Sequence, residues 1–278
     1  MSEALVSTAW LADRLDAANA RPDGRPSGRI IEVSHDPEAY ASGHLPGAVA
    51  IDWLQDLIEH PDETSGHVID ADRFAALARR LGLRPDDTLV FYGDAGGRHA
   101  ARALWTFEYY RHPGPLHWLD GGREKWQREG RPMTADVPTI APSDYPTPHE
   151  HDERLRATWQ QIEMHIHDGA HAVLDVRTPE EYQGTDVRAA RGGHIPGAVH
   201  IFWEDALTPD GSLRPKKELE RLYARLPKDK SIAVHCQLGV RAAHTWFVLR
   251  HVLGYPDVRN YDGSWQEWGN LPDVPIER

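Results

Sequence analysis

The chain contains one cysteine, Cys236, in a short loop between two apolar segments. Residues 231–234 have the composition of a buried strand, and residues 242–253 that of an apolar helix. The loop therefore ends where a helix begins, and backbone N–H groups at such an end lack helical partners and attract anions. This setting stabilises a thiolate, so the pattern predicts a nucleophilic cysteine. The loop residues that would surround its sulfur are Gln237, Leu238, Gly239, Val240 and Arg241.

Two other roles for Cys236 are a buried structural thiol and a zinc ligand. The loop between strand and helix argues against the first role. A zinc site needs more ligands, and His235 on the preceding strand would point to the opposite face. We therefore predict neither a metal site nor a cofactor. Arg241 has two possible roles, since it could attract an anionic donor or brace the loop through a carboxylate or backbone contact.

Three stretches of the sequence resemble one enzyme family. The Cys-x-x-Gly-x-Arg-Ala loop that begins at Cys236 resembles the active-site loop of rhodaneses, sulfurtransferases that carry sulfane sulfur as a cysteine persulfide. Residues 40–51 and 258–268 resemble the N-terminal and C-terminal signatures of that family. The resemblance covers nearly the whole chain and implies a tandem-domain rhodanese.

The sequence carries one pattern twice. Strands and helices alternate in both halves, which predicts an α/β fold with a parallel sheet flanked by helices in each half. The resemblance implies that these halves are two tandem rhodanese-like domains. Asp94 stands 142 positions before Cys236, and the same spacing joins Gly97 to Gly239. A carboxylate cannot form a persulfide, so we expect a non-catalytic N-terminal domain over 1–131. A proline-rich linker over 132–152 and a catalytic domain over 153–278 would follow.

Composition limits the partners. The 278 residues suit two domains, and the net charge of −12 argues against a nucleic-acid or anionic-membrane surface. A single cysteine excludes an internal disulfide, and the first residues lack the basic and apolar regions of a signal peptide. We expect a cytoplasmic protein with small-molecule partners. The sequence leaves its oligomeric state open.

The resemblance implies a double displacement in which Cys236 takes sulfur from a small anionic donor and passes it to a thiophilic acceptor such as cyanide. Thiosulfate is the expected donor, because mercaptopyruvate enzymes have a smaller Cys-Gly-Ser-Gly-Val-Thr loop. 3-Mercaptopyruvate sulfurtransferase activity and a protein-directed persulfide carrier stay open as alternatives. Cysteine phosphatase chemistry is disfavoured, since four residues separate Cys236 from Arg241 where phosphatases have five.

The chain departs from the vertebrate rhodaneses at two positions. Those enzymes place a donor-binding arginine directly before a tyrosine, whereas Glu181 precedes Tyr182 here. They also place a lysine two residues after the cysteine, where this chain has Leu238. Another cation must therefore bind the donor. The candidates from the same segment are Arg177, Arg188 and Arg191.

Overall fold

A computed structural model describes residues 4–16, 28–60, 66–168 and 171–278 of the chain. These residues form two compact units. The first takes the described residues of Met1–Leu57, Ile69–His151 and Thr208–Leu213, and the second takes those of Ile58–Val68, Asp152–Leu207 and Arg214–Arg278. Each unit thus includes one short segment from the other half of the sequence.

The described part of the first unit contains a parallel sheet of five strands in the order β1-β5-β4-β2-β3. Its elements are, in chain order, β1 (Leu5–Val6), α1 (Thr8–Asp16), β2 (Gly28–Glu32), α2 (Ala39–Ser42), β3 (Val49–Ala50), α3 (Trp53–Leu57), α4 (Ala71–Arg80), β4 (Thr88–Tyr92), a 3-10 turn (Ala95–Gly97), α5 (Arg98–Tyr109), β5 (Leu116–Leu119) and α6 (Gly122–Arg128).

The described part of the second unit contains a parallel sheet of four strands in the order β7-β6-β8-β9. Its elements are a 3-10 turn (Glu153–Leu155), α7 (Trp159–Asp168), β6 (His171–Asp175), α8 (Pro179–Gln183), β7 (Val199–His200), a 3-10 turn (Trp203–Ala206), α9 (Lys216–Leu222), β8 (Ser231–His235), α10 (Val240–Phe247), which continues as a π-helical turn (Val248–Val252), β9 (Val258–Asn260) and α11 (Ser264–Trp268).

The predicted α/β architecture is confirmed in both units. Every residue of β8 is buried, as expected for an interior strand of a parallel sheet that helices cover on both faces. Asp70 caps the start of α4, because its carboxylate accepts the backbone N–H of Arg73 at 2.8 Å. Strand β1 was not predicted, since two residues carry too little pattern to identify a strand.

Aromatic side chains hold the segment after β9 in place. Tyr261, Trp265 and Trp268 are buried together in the core of the second unit. Removing one buried aromatic ring from such a core costs about 3–5 kcal/mol. This packing fixes the start of α11, which lies against the cysteine loop.

Residues 132–152 form no helix or strand apart from a single bridge at Thr134. Tyr145 in this segment is buried, and its carbonyl accepts a hydrogen bond from Arg79 at 2.7 Å. The segment up to His151 belongs to the first compact unit. The domain boundaries at 131 and 153 stay predictions. In the described ranges, no helix is long and apolar enough to span a membrane.

Candidate active site

Cys236 is the first residue after β8, at the carboxyl edge of the parallel sheet where α/β proteins place their ligands. Its side chain is buried, and it is a free thiol. Gly239 has a φ of +71°, which turns the backbone so that α10 begins at Val240. The expected sequence of strand, loop and helix is therefore present.

The cysteine loop is clamped by one hydroxyl group. The backbone N–H groups of Cys236 and Gly239 both donate to Ser264 Oγ at 3.0 Å. That hydroxyl in turn donates to the carbonyl of Tyr261 at 2.7 Å. The backbone N–H of Trp265 donates to the Cys236 carbonyl at 3.0 Å, so the start of α11 holds both ends of the loop.

Ser264 makes this clamp from an unfavourable backbone conformation. Its φ is +53°, in the left-handed region that costs a non-glycine residue about 1 kcal/mol or more. Gly122 stands 142 positions earlier and has nearly the same φ, +52°. Ser264 was not among the residues predicted from the sequence, although the repeats differ there, with Asp-Gly-Gly in the first and Asp-Gly-Ser in the second.

Residues 66–68 lie in the first half of the sequence but belong to the second unit, where they pack against the cysteine loop and the residues after β9. A Cβ on Gly66 would lie 2.0 Å from the Asp262 carbonyl oxygen and 2.9 Å from the Leu238 carbonyl carbon, so only glycine fits there. Two residues later, the N–H of Val68 donates to Asp262 Oδ2 at 2.9 Å. Arg156 donates to the other oxygen of the same carboxylate at 2.9 Å.

Arg241 lies in the first turn of α10 and forms a bidentate ion pair with Glu181, with distances of 2.6 and 2.8 Å. Burial disfavours the charged forms of both groups. At Arg241, Glu181 and the Cys236 sulfur outweigh the effect of burial and raise the pKa of the guanidinium. At Glu181, Arg241 outweighs the effect of burial and lowers the pKa of the carboxylate. Arg241 thus makes the carboxylate contact of its bracing role beside the sulfur. Its direct contact with a donor stays a prediction.

The three arginines proposed from the sequence lie in different surroundings. Arg188 is half-exposed, and its guanidinium lies 3.6 Å from Glu181 and 2.7 Å from Asp186. Its carbonyl accepts a hydrogen bond from Gln237 Nε2 at 2.9 Å. Arg188 is therefore connected to both Glu181 and the cysteine loop.

Arg177 and Arg191 are engaged elsewhere. The buried guanidinium of Arg177 donates to both oxygens of Asp175 and to the Gly193 carbonyl, and it lies 4.2 Å from the centre of the Trp265 ring. The guanidinium of Arg191 donates to carbonyl groups of residues 268–274. These contacts do not bring either guanidinium to the loop.

His235 is buried directly behind the cysteine. Its Nδ1 lies 3.4 Å from the Cys236 carbonyl oxygen, and its Nε2 lies 3.4 Å from Asp175 Oδ2. Burial lowers the pKa of His235 to about 4, although Asp175 opposes the shift. The ring is therefore neutral at neutral pH. In the described ranges, no group of three or more His, Cys, Asp or Glu side chains is placed to hold a metal ion.

The first unit has a carboxylate at the position of the cysteine. Asp94 follows β4, and its two oxygens accept the backbone N–H groups of His35 at 2.5 Å and Asp36 at 3.1 Å. Asp94 thus ties two loops of its own unit together.

The Rhodanese-like domain family matches residues 7–129 and again residues 158–271. The chain belongs to the rhodanese family. This match includes both repeats and the complete Cys236 loop.

Similar rhodanese-related proteins cover nearly all of this chain. A sulfur carrier protein, TtuD, of Thermus thermophilus is 43% identical, with 99% of this chain and 97% of that protein aligned. A thiosulfate sulfurtransferase of Corynebacterium glutamicum is 42% identical over 99% and 90% of the two chains. An anaerobic ergothioneine biosynthesis enzyme from Chlorobium limicola, solved with trimethyl histidine, has a TM-score of 0.84 at 24% identity, covering 99% of this chain and 70% of that one. This last likeness supports the fold.

We predict that Ser264→Ala slows sulfur transfer and lowers the free energy of unfolding by about 2 kcal/mol, because two buried N–H groups lose their acceptor. Ser264→Gly should slow sulfur transfer equally but be the more stable of the two variants, since glycine removes the cost of the positive φ. Chemical denaturation and steady-state rates measure both effects. Wild-type rates in both variants would contradict the clamp.

We predict that His235 makes the protein less stable in acid. An unfolded histidine takes up its proton near pH 6.5, but buried His235 takes it up near 4, so the unfolded chain binds more protons between these values. The free energy of unfolding should therefore fall by about 3 kcal/mol from pH 6.5 to 4 through this residue. Denaturation of His235→Gln should show a flatter pH dependence, whereas the exposed control His60→Gln should match wild type. Equal slopes in His235→Gln and wild type would contradict this assignment.

Proposed function

We propose that the chain is a thiosulfate sulfurtransferase whose sulfur is carried on Cys236. The observation that supports this most is the buried thiol at the carboxyl edge of the sheet, beside Arg241 and the start of α10. A relative that is 42% identical over nearly the whole chain is named for the same activity.

The proposed reaction has two displacements at sulfur. The Cys236 thiolate attacks the outer sulfur of thiosulfate, the S–S bond of the donor breaks, and sulfite leaves with the electron pair. Cyanide or another thiophile then attacks the terminal sulfur of the persulfide. With cyanide, thiocyanate forms and the thiolate is regenerated, so no oxidant or reductant is needed.

The loop amides would stabilise both sulfur anions of this cycle, with one exception. We expected the N–H groups from Gln237 to Arg241 to act together, but the Gly239 N–H is already bonded to Ser264. Among the described residues, the backbone N–H groups of Gln237, Leu238, Val240 and Arg241 have no protein acceptor. These four N–H groups remain available to donate hydrogen bonds to the thiolate or the persulfide sulfur.

Fixed charges support a preference for an anionic donor. The Glu181 carboxylate neutralises Arg241. Arg241 therefore places positive charge next to the sulfur but adds little net attraction for an anionic donor. Arg188 places a second guanidinium on the exposed side of this pair. Asp186 lies 2.7 Å from it, but the side chain is half-exposed and can turn toward an anionic donor. We therefore propose that Arg188 attracts thiosulfate, and we do not extend this role to Arg177 or Arg191.

The second candidate function is a persulfide carrier that delivers its sulfur to a protein. The 43% identity to a protein named as a sulfur carrier favours it. The first displacement is the same in both functions, and the acceptor distinguishes them. Rapid turnover with thiosulfate and cyanide supports the enzyme, whereas a persulfide that cyanide discharges only slowly supports the carrier. The cytoplasmic location stays a prediction.

We predict that the purified protein turns over thiosulfate and cyanide with a higher kcat/KM than 3-mercaptopyruvate and cyanide. Gln237 and Leu238 leave less room than the small loop residues of mercaptopyruvate enzymes. Cys236→Ser should abolish turnover, whereas Asp94→Ala should retain most of it. A higher kcat/KM with 3-mercaptopyruvate would overturn the assignment of thiosulfate as the donor. Full activity of Cys236→Ser would overturn the mechanism through a Cys236 persulfide.

We predict that Arg188→Ala raises the KM for thiosulfate about fivefold, equivalent to ~1 kcal/mol, with kcat nearly unchanged. The reason is that a half-exposed charge contributes to donor binding rather than to the chemical step. Arg188→Lys should lie between wild type and the alanine variant. Arg214→Ala, which removes a comparable exposed charge elsewhere in the unit, is the matched control. An unchanged KM in Arg188→Ala would exclude this role.

A further inference from the structure

Both units contain the same stacked pair of rings after the first long strand. In the first unit the rings of Tyr40 and His44 lie 3.9 Å apart, and in the second the rings of Tyr182 and His194 lie 3.8 Å apart. Each tyrosine hydroxyl also donates to the carbonyl of an alanine, at 2.7 and 3.0 Å respectively. The two tyrosines are therefore structurally equivalent.

The second unit adds a third ring to its stack. The imidazole of His200 covers the Tyr182 ring, with the ring centres 4.5 Å apart and the planes inclined by 22°. His200 Nε2 is 2.8 Å from the Arg177 carbonyl oxygen, so this nitrogen donates to that carbonyl. The bound position of an imidazole ring is thus visible within the chain itself.

The first unit has alanine at the position of that third ring. His200 pairs with Asp175 in the sheet, and Ala50 pairs with Glu32 in the same register. Ser34 follows Glu32 by two residues, as Arg177 follows Asp175, so the Ser34 carbonyl corresponds to the acceptor of the His200 ring. No described N–H donates to the Ser34 carbonyl.

A cavity of about 350 Å³ lies where the third ring is missing. Its lining includes Ala50, at the position of His200, together with Ser34 and Tyr40, which correspond to the His200 neighbours Arg177 and Tyr182. Trp53 supplies another aromatic wall. The volume exceeds that of a single imidazole, so there is room for a substituent on the ring.

The charges around the cavity favour a cationic ring. Asp36 and Asp52 line it, are exposed, and form no ion pair within the described part of the chain. Glu32 also lines it, but this carboxylate is paired with Arg123. An imidazolium ring would therefore gain Coulomb attraction from two uncompensated carboxylates and would stack on the tyrosine face.

We propose that the N-terminal unit binds a small cationic nitrogen heterocycle of the imidazole class, stacked on Tyr40 with a ring N–H donated to the Ser34 carbonyl. The lining residues all belong to the first unit, so the site would give the unit that lacks a cysteine a binding role of its own.

Imidazole itself is the probe, titrated into the full-length protein below neutral pH and followed by amide NMR. A five-atom ring should bind with millimolar affinity and shift the resonances of Ser34, Tyr40 and Ala50 in a saturable way. Ala50→His should place a ring in the cavity, as His200 does, and weaken binding at least tenfold. Ala50→Ser keeps the cavity open and should bind as wild type does.

A reciprocal variant tests the internal comparison. His200→Ala should open the corresponding cavity in the second unit, add a second imidazole site, and gain thermal stability on addition of imidazole. Sulfur transfer should be unchanged in Ala50→His. The proposal is overturned if wild type shows no saturable shifts, if Ala50→His binds as well as wild type, or if His200→Ala gains no site.

Discussion

Two backbone N–H groups of the cysteine loop depend on a single hydroxyl, that of Ser264. The loop must curve tightly enough to surround one sulfur atom, and a curve of this kind leaves its amides without partners in the loop itself. Ser264 accepts hydrogen bonds from the amides of Cys236 and Gly239, and its own hydroxyl donates a hydrogen bond to the Tyr261 carbonyl. The remaining backbone N–H groups of the loop can therefore donate hydrogen bonds to the sulfur. The positive φ of Ser264 is tolerated because buried aromatic rings and the hydrogen bonds of α11 hold the surrounding chain.

The charge at the site is organised around one ion pair. A lone arginine beside the thiol would be free to change its rotamer and would attract any anion. Glu181 fixes the Arg241 guanidinium through two hydrogen bonds, and the capping box at the start of α8 fixes Glu181 in turn. The glutamate that occupies the vertebrate donor-binding position thus has a positioning role in this chain. In our proposal, the half-exposed Arg188 attracts the donor instead.

Much of the fold could be predicted because strand and helix patterns are strong in long apolar segments, such as β4, β8 and α10. The Cys236 loop could be located because one residue type carries its chemistry. The contacts of Ser264, Gly66 and Glu181 could not be predicted from the sequence. Each contact forms only because segments that are distant in the sequence come together around the loop. Arg177 illustrates the limit, because its charge suggested a donor site, whereas its contacts with Asp175 and Trp265 are visible only in three dimensions.

The two repeats share one scaffold but differ in side chains at corresponding positions. Asp94 stands at the position of the thiol and bonds to its own unit, while Ala50 stands at the position of His200 and lines a cavity. We propose that sulfur is held covalently on Cys236 alone. The decisive measurement is the intact mass of the full-length protein after incubation with thiosulfate. We expect a mass gain of one sulfur atom that cyanide removes and that Cys236→Ser lacks, whereas an unshifted mass during continuing turnover would exclude a Cys236 persulfide.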